Sequence, residues 1–510
     1  MASEDPPLRI EPGAIALEVD LAQPAPAAVL HVYAGDRDVT ADAAFALAGA
    51  PLGTVEAGTL TSNGFAGGAA TLVVTYGGAR ASVPVTAHVR GVRFDGVPAS
   101  AADAFATGPR VERDAQLEPG NGAILPPNLG RLDVDFTADD TDSLHAVAVR
   151  SPYLDLTVYS AGAPGPRRVA LSSREWSAVA STARGRAGDL EVAATSASPG
   201  APIHVAAAHV AIADLDASSL AFTAARAGET PHLWRYDVAR SSQQALVTLE
   251  TCVGCHVAVS PDGTRLATAS NGAGVSGYLF DLGDRSIVAR TDDVGVWTAA
   301  SFTAGGELVT GYLGSLALRD AATGELIAPI PTRTPAAEPA VSPDGHTLAY
   351  ISLETVGEAF LGGDALAVMA RDPATGAFGA PRELARGAAV LEPEVSSDSR
   401  WIAYTRNATQ ERFVYDDTDV VSIDGETTIR VTTGALDGLA RWASPIVDGR
   451  AWLAVVSTRP LAGVAQPPQL WLVAIDLATG TVSRPVHLPG QDLAWLVMHA
   501  PMRLPLSEAK

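Results

Sequence analysis

The sequence predicts an all-β protein in which two β-sandwich domains precede a six-bladed β-propeller. Three observations carry that expectation. First, apolar residues recur in short runs separated by turn residues, and 48 glycines with 35 prolines among 510 residues punctuate the chain too often for long helices. Second, a tight-turn motif Ser-Pro-Asp-Gly stands at 260–263 and 342–345, with a looser copy, Ser-Ser-Asp-Ser, at 396–399. Third, an apolar strand ending in aspartate recurs at Asp237, Asp281, Asp320, Asp372, Asp424 and Asp476, the last three intervals being 52 residues each. Registered motifs with a period of roughly 40 to 50 residues are the mark of four-stranded blades.

Charge narrows the partners. The chain has 57 acidic against 35 basic residues, a net charge of -22, which argues against nucleic acid or an anionic membrane surface. No apolar run approaches the roughly 18 residues of a membrane span. The opening residues Met1 to Pro7 carry neither a basic segment nor an apolar one.

Residues 8–90 read as the first sandwich. Alternating runs at 8–10, 28–32 and 71–75 lie between Gly, Pro and Asp turns. Asp38-Val39-Thr40 precedes Ala44-Phe45, then come Gly53-Thr54-Val55, Gly58-Thr59-Leu60-Thr61 and the closing run 70–78. In that order these motifs resemble a bacterial Ig-like domain, which implies a spacer or adhesive module. Residues 91–213 read as a second Ig-like or fibronectin-like sandwich, with strands expected at 131–136, 145–150, 154–159, 189–195 and 203–212 and Trp176 as a core anchor. The acidic run Asp133, Asp135, Asp139, Asp140, Asp142 lacks the spacing of a calcium loop and is expected to be a solvated acidic loop.

Residues 214–510 carry the repeats. The Ser-Pro-Asp-Gly hairpins and the strand Leu470-Trp471-Leu472-Val473-Ala474-Ile475-Asp476 resemble the TolB-type propeller repeat. The first blade has only three strands in sequence, so a tail strand at 494–499 is expected to supply its innermost strand and close the ring.

The chemistry is expected at Cys252-Val253-Gly254-Cys255-His256, which holds both cysteines of the chain. C-x-x-C-H is the attachment signature of c-type haem: each thiol forms a thioether, and the histidine becomes the proximal iron ligand. A structural zinc site would need a second Cys/His pair, and none stands at matching spacing. A thioredoxin-like dithiol would need a helix in a βαβ setting. A local Cys252–Cys255 disulfide stays open. The mix of Ig-like modules, propeller and embedded C-x-x-C-H also resembles exported haem-bearing propeller proteins. Haem is attached outside the cytoplasm, so the reading places the protein in the periplasm or at the cell surface, with Met1 starting a trimmed form.

Aligning the hairpins on Val259, Val341 and Val395 sets His256 level with Glu338 and Glu392, and by the looser copies with Thr298 and Trp442. Residues leading into innermost strands line one mouth of a propeller's channel. His256, Glu338 and Glu392 are therefore an alternative site for a divalent metal without haem. For the distal haem position Met498 and His499 are candidates, with Met502 and His209 behind them.

Other motifs fall away. Gly272-Ala273-Gly274-Val275-Ser276-Gly277 has the letters of a dinucleotide fingerprint but no following helix. No G-x-S-x-G elbow occurs, so an electron carrier or binding protein is expected rather than a hydrolase. Two expectations remain: an exported monohaem electron-transfer protein with a redox or envelope protein as partner, and a haemless binding scaffold.

Overall fold

The computed structural model describes residues 7–504 apart from 115, 139–141, 164, 187–189, 199–201, 227–228, 230–231, 248–255, 270–276, 355–362, 373, 407–416, 433–436 and 498–501. The fold is all-β. It divides into two compact units, Met1–Asp214 with Leu461–Gly463, and Leu215–Pro460 with Val464–Lys510.

In the first unit the expected break at residue 90 is absent. The strand Ala79–Asp95 crosses that position and pairs in parallel with Leu154–Ala161, from Val89↔Leu154 to Asp95↔Ser160. Residues on both sides thus share one ten-stranded sheet. Between the turns at Gly77-Gly78 and Gly96 the one glycine is Gly91, which lies in the strand where a Cβ would meet Leu156 Cδ2 at 2.8 Å. There it permits close packing and makes no turn.

Trp176 is a core anchor, as expected, at 1% exposure, and it sits on an α-helix, Ser173–Ala183, among the strands. The start of that helix is a capping box, with Ser172 Oγ accepting from the Glu175 N–H at 3.3 Å and Glu175 Oε2 accepting from the Ser172 N–H at 2.6 Å. One further expectation for this unit is corrected. Asp139 and Asp140 of the acidic run lie outside the described residues, and the other three are not solvated. Asp133, Asp135 and Asp142 are buried, because the pairing of Leu132–Ala138 with Gly165–Leu171 sets Asp135 opposite Arg168. Arg168 Nε donates to Asp135 Oδ1 at 2.8 Å, Arg131 Nε lies 3.0 Å from Asp133, and His204 Nδ1 lies 2.9 Å from Asp142. Buried carboxylates persist because hydrogen-bonding partners meet them.

The second unit is a series of antiparallel meanders. One sheet holds Val257–Val259, Arg265–Thr268, Tyr278–Asp281 and Ile287–Arg290, and the next holds Ala299–Phe302, Glu307–Tyr312, Ser315–Asp320 and Leu326–Ile330. A seven-stranded sheet follows, since Arg382–Val395 pairs outward with Gly363–Ala370 and then inward with Trp401–Arg406. The strands Asp437–Trp442, Arg450–Ser457 and Gln469–Asp476 build the next. The last sheet joins both ends of the unit: Trp495–Val497 and Met502–Arg503 pair with Leu220–Arg226. The innermost strands touch in the order Val257–Val259, Ala299–Phe302, Ala336–Val341, Arg382–Val395, Asp437–Trp442 and Met502–Arg503, and the last returns to the first. That closed succession is a β-propeller.

Alternation of side chains explains the stacking. In Thr347–Ser352, Leu348 and Tyr350 pack with Val309, Leu316 and Leu318 of the preceding sheet. Ala349 and Ile351 pack the other way, with Val390, Ile402 and Tyr404 from later strands of the same seven-stranded sheet. Thr347–Ser352 is thus buried on both faces, which is why it reads as a continuous apolar run.

The repeated turns rest on side chains. Ser260 Oγ donates to Asp262 Oδ1 at 2.6 Å, and Asp262 Oδ1 accepts from the Thr264 N–H at 3.0 Å. The same bonds recur at Ser342 and Asp344, at Ser396 and Asp398, and at Ser422 and Asp424. Ser399, at φ 59°, takes the left-handed place that Gly263 and Gly345 fill in the other copies. In the second motif Asp320, Asp372 and Asp476 each accept two backbone N–H bonds from the Ala and Thr that follow. These are Asx turns.

Candidate functional site: the channel mouth

His256 begins the innermost strand of its sheet, its carbonyl accepting from the Ala269 N–H at 3.0 Å. Glu338 and Glu392 lie on the innermost strands Ala336–Val341 and Arg382–Val395, the first of them one sheet beyond Ala299–Phe302. Both have left-handed backbones, φ 48° and 54°, and both precede proline. The ladder registers shift there, between Ala337 and Ala340 and between Leu391 and Glu394. These are β-bulges, which turn a side chain out of the regular pleat.

The three side chains converge. One ligand atom of each lies within 4.8 Å of those of the other two. His256 Nδ1 is 2.8 Å from Glu392 Oε1, and the Glu392 N–H donates to Glu338 Oε2 at 2.5 Å. The Arg441 guanidinium pairs with Glu392 Oε2 and also donates to the Glu392 carbonyl at 2.5 Å. Glu394 Oε2 accepts from the Trp442 N–H at 2.5 Å. The Glu392 side chain is 5% exposed and that of His256 23%, so the imidazole keeps an opening to solvent. A cavity of about 140 Å³ at this mouth is lined by His256, Glu338, Glu392, Arg441, Met502 and Arg503, among others.

Electrostatics follow from this crowding. Burial alone would lower the pKa of His256, but the charge and hydrogen bond of Glu392, with Glu338 behind, outweigh it against Arg441 and leave the pKa raised. Burial, then the Glu392 charge, pushes Glu338 up to about 7 against the pull of His256 and Arg441. Burial also pushes Glu394 up to about 7, against Arg441, the Trp442 N–H and Arg503.

Two sequence equivalences are corrected here. Strand pairing sets Phe302↔Leu308 and Trp442↔Leu453 level with Val341↔Leu348, so Ala299 and Leu439, not Thr298 and Trp442, correspond to Glu338. In the last hairpin ten residues separate Trp442 from Leu453, and counting back from its turn misses the longer connection. Leu439, at φ 55°, repeats the bulge with no ligand on it. Of the other predicted residues, Cys252, Cys255, Met498 and His499 lie outside the described residues. Met502 packs beside Val257 and Val259 and lines the cavity. His209 is exposed on the strand Ile203–Ile212 of the first unit. Arg441 and Glu394 escaped the sequence reading. Both fall one residue before Trp442 and Val395, positions that strand pairing makes equivalent and that the hairpin alignment, with Trp442 set level with Glu392, did not.

No family model matches the sequence, and no curated protein does. Solved structures overlap it in part. TolB from Acinetobacter baumannii is 15% identical, with 60% of this chain and 82% of that one covered at TM-score 0.35. Hydrazine synthase from Kuenenia stuttgartiensis is 16% identical over 48% of this chain and 69% of its own, at TM-score 0.33. Dihydro-heme d1 dehydrogenase NirN is 18% identical over 52% of this chain and 54% of its own, at TM-score 0.34.

Proposed function

We propose that this chain is an exported monohaem c-type electron-transfer protein built on a six-bladed, TolB-like propeller. Cys252 and Cys255 hold the haem by thioethers, and His256 is the proximal ligand. The observation that carries the reading is the bond between His256 Nδ1 and Glu392. A carboxylate only accepts, so Nδ1 keeps its hydrogen and Nε2 becomes the ligating nitrogen. Metal-bound histidines have this second partner as a rule. His256, whose side chain is 23% exposed at this mouth, would hold the haem iron, and the bound haem would supply the redox chemistry there. The chain's residues hold it, orient the imidazole and surround it with fixed charge. Met498, His499 and Met502 are the candidates for the distal side, and a redox or envelope protein is the partner. The first unit, in which residues on both sides of position 90 share one sheet, acts as a spacer. Protein made in a host with haem-maturation machinery should show a haem absorbance that survives denaturation and is lost in Cys252→Ala/Cys255→Ala. Colourless parent protein would overturn the reading.

A second reading has its own support, the 4.8 Å grouping of His256, Glu338 and Glu392. In it the protein is a haemless periplasmic or cell-surface binding scaffold. Cys252 and Cys255 form a local disulfide, and the mouth holds a divalent cation.

A further inference from the structure

We infer that Glu392 is the positioning residue for His256 and sets the electron affinity of the iron His256 holds, with Arg441 as its counter-charge. The inference rests on the haem reading above.

Glu392 is fixed at each of its polar atoms. Its N–H donates to Glu338 Oε2, its carbonyl accepts from Arg441, its Oε2 pairs with Arg441 and its Oε1 meets His256 Nδ1. The left-handed backbone at φ 54°, ahead of Pro393, turns the side chain out of the sheet's regular pleat. Such a conformation is uncommon for a residue other than glycine and persists where surrounding contacts enforce it. The carboxylate therefore cannot rotate away from the imidazole without breaking its bonds to Arg441.

This arrangement has a signed consequence. An ionised carboxylate on Nδ1–H makes the imidazole a stronger donor through Nε2. Ferric iron carries one more positive charge than ferrous iron, so a stronger donor and a nearby anion both favour the ferric state. Glu392 thus lowers the reduction potential. Arg441 sits on the far oxygen of the same carboxylate, withdraws part of its charge and raises the potential. Arg441 is 7% exposed and Glu392 4%, so solvent screens neither strongly.

The test is the reduction potential of holoprotein, by spectroelectrochemical titration, for parent, Glu392→Gln and Arg441→Gln. Glutamine at 392 keeps an accepting oxygen and removes the charge, so its potential should move up. Removing the Arg441 charge should move it down. A residue that merely supports the fold would shift both variants in one direction, so opposite signs identify the role. Should a single variant fail to fold, Glu392→Gln/Arg441→Gln leaves no unpaired charge. Its potential should still lie above the parent's, because the lost carboxylate is nearer the iron. An unchanged or lowered potential in Glu392→Gln, or in the double variant, overturns the inference alone. Parent protein without covalent haem overturns the reading it rests on, and the mass of the purified chain reads that separately.

Discussion

Glu338 and Glu392 occupy the same position on neighbouring innermost strands, each left-handed, each bulged and each followed by proline. A residue before proline is normally extended, because the ring crowds its N–H and Cβ. Holding it elsewhere costs on the order of 1–3 kcal/mol. The left-handed bulge recurs at Leu439, which precedes Ala440 and directs no carboxylate, so the bulge itself requires neither the glutamate nor the proline. The glutamates put that geometry to use at the channel mouth.

Arg441 should be needed for stability as well as for potential. Arg441→Met leaves Glu392 buried beside Glu338 without its cation, and removing one partner of a buried pair costs about 3–5 kcal/mol. Arg441→Met/Glu392→Gln should recover most of that loss in urea unfolding. A single variant as stable as the parent would show that Glu392 is held otherwise.

Deleting residues after Gly490 should destabilise the second unit. The strands Trp495–Val497 and Met502–Arg503 cover the inner edge of Leu220–Arg226, and removing them exposes an unpaired strand edge. Calorimetry should show a lower melting temperature for the truncated protein, and an unshifted transition would contradict closure through this pairing.

His145 gives a pH signature. Burial holds its imidazole below the usual histidine range, with Arg167 adding to this and the Gly162 backbone and Asp142 opposing. An unfolded histidine takes up a proton near pH 6.5, whereas the folded one resists it. The stability from neutral His145 is therefore full above about pH 6.5 and lost as pH falls through the folded value. Between pH 7.5 and 5 the parent should lose more melting temperature than His145→Gln. Comparing the two cancels Asp135 and Glu338, whose raised values act in the opposite sense. Equal losses would remove His145 from the account.

Much of the second unit was legible because its turns are written in local chemistry. Ser260, Asp262 and Gly263 make bonds within a few residues of each other, so the sequence displays the hairpin that will form. The convergence of His256, Glu338 and Glu392 was legible for the same reason, since equal positions in a repeat meet at the channel. Long-range pairing was not. Nothing local announces that Ala79–Asp95 will take Leu154–Ala161 as a parallel neighbour, or that Asp135 will face Arg168. The helix Ser173–Ala183 had a readable signal in Ser172 and Glu175, which the turn-rich surroundings masked.

The central claim is that the chain's two thiols carry haem beside His256. Mass spectrometry of denatured protein, expressed in a periplasm with haem-maturation machinery, reads this directly. The account predicts an added mass of about 616 Da, one haem held by two thioethers, and its loss in Cys252→Ala/Cys255→Ala. A parent mass lower than the reduced chain by only two hydrogens would mean a disulfide, and would contradict the claim.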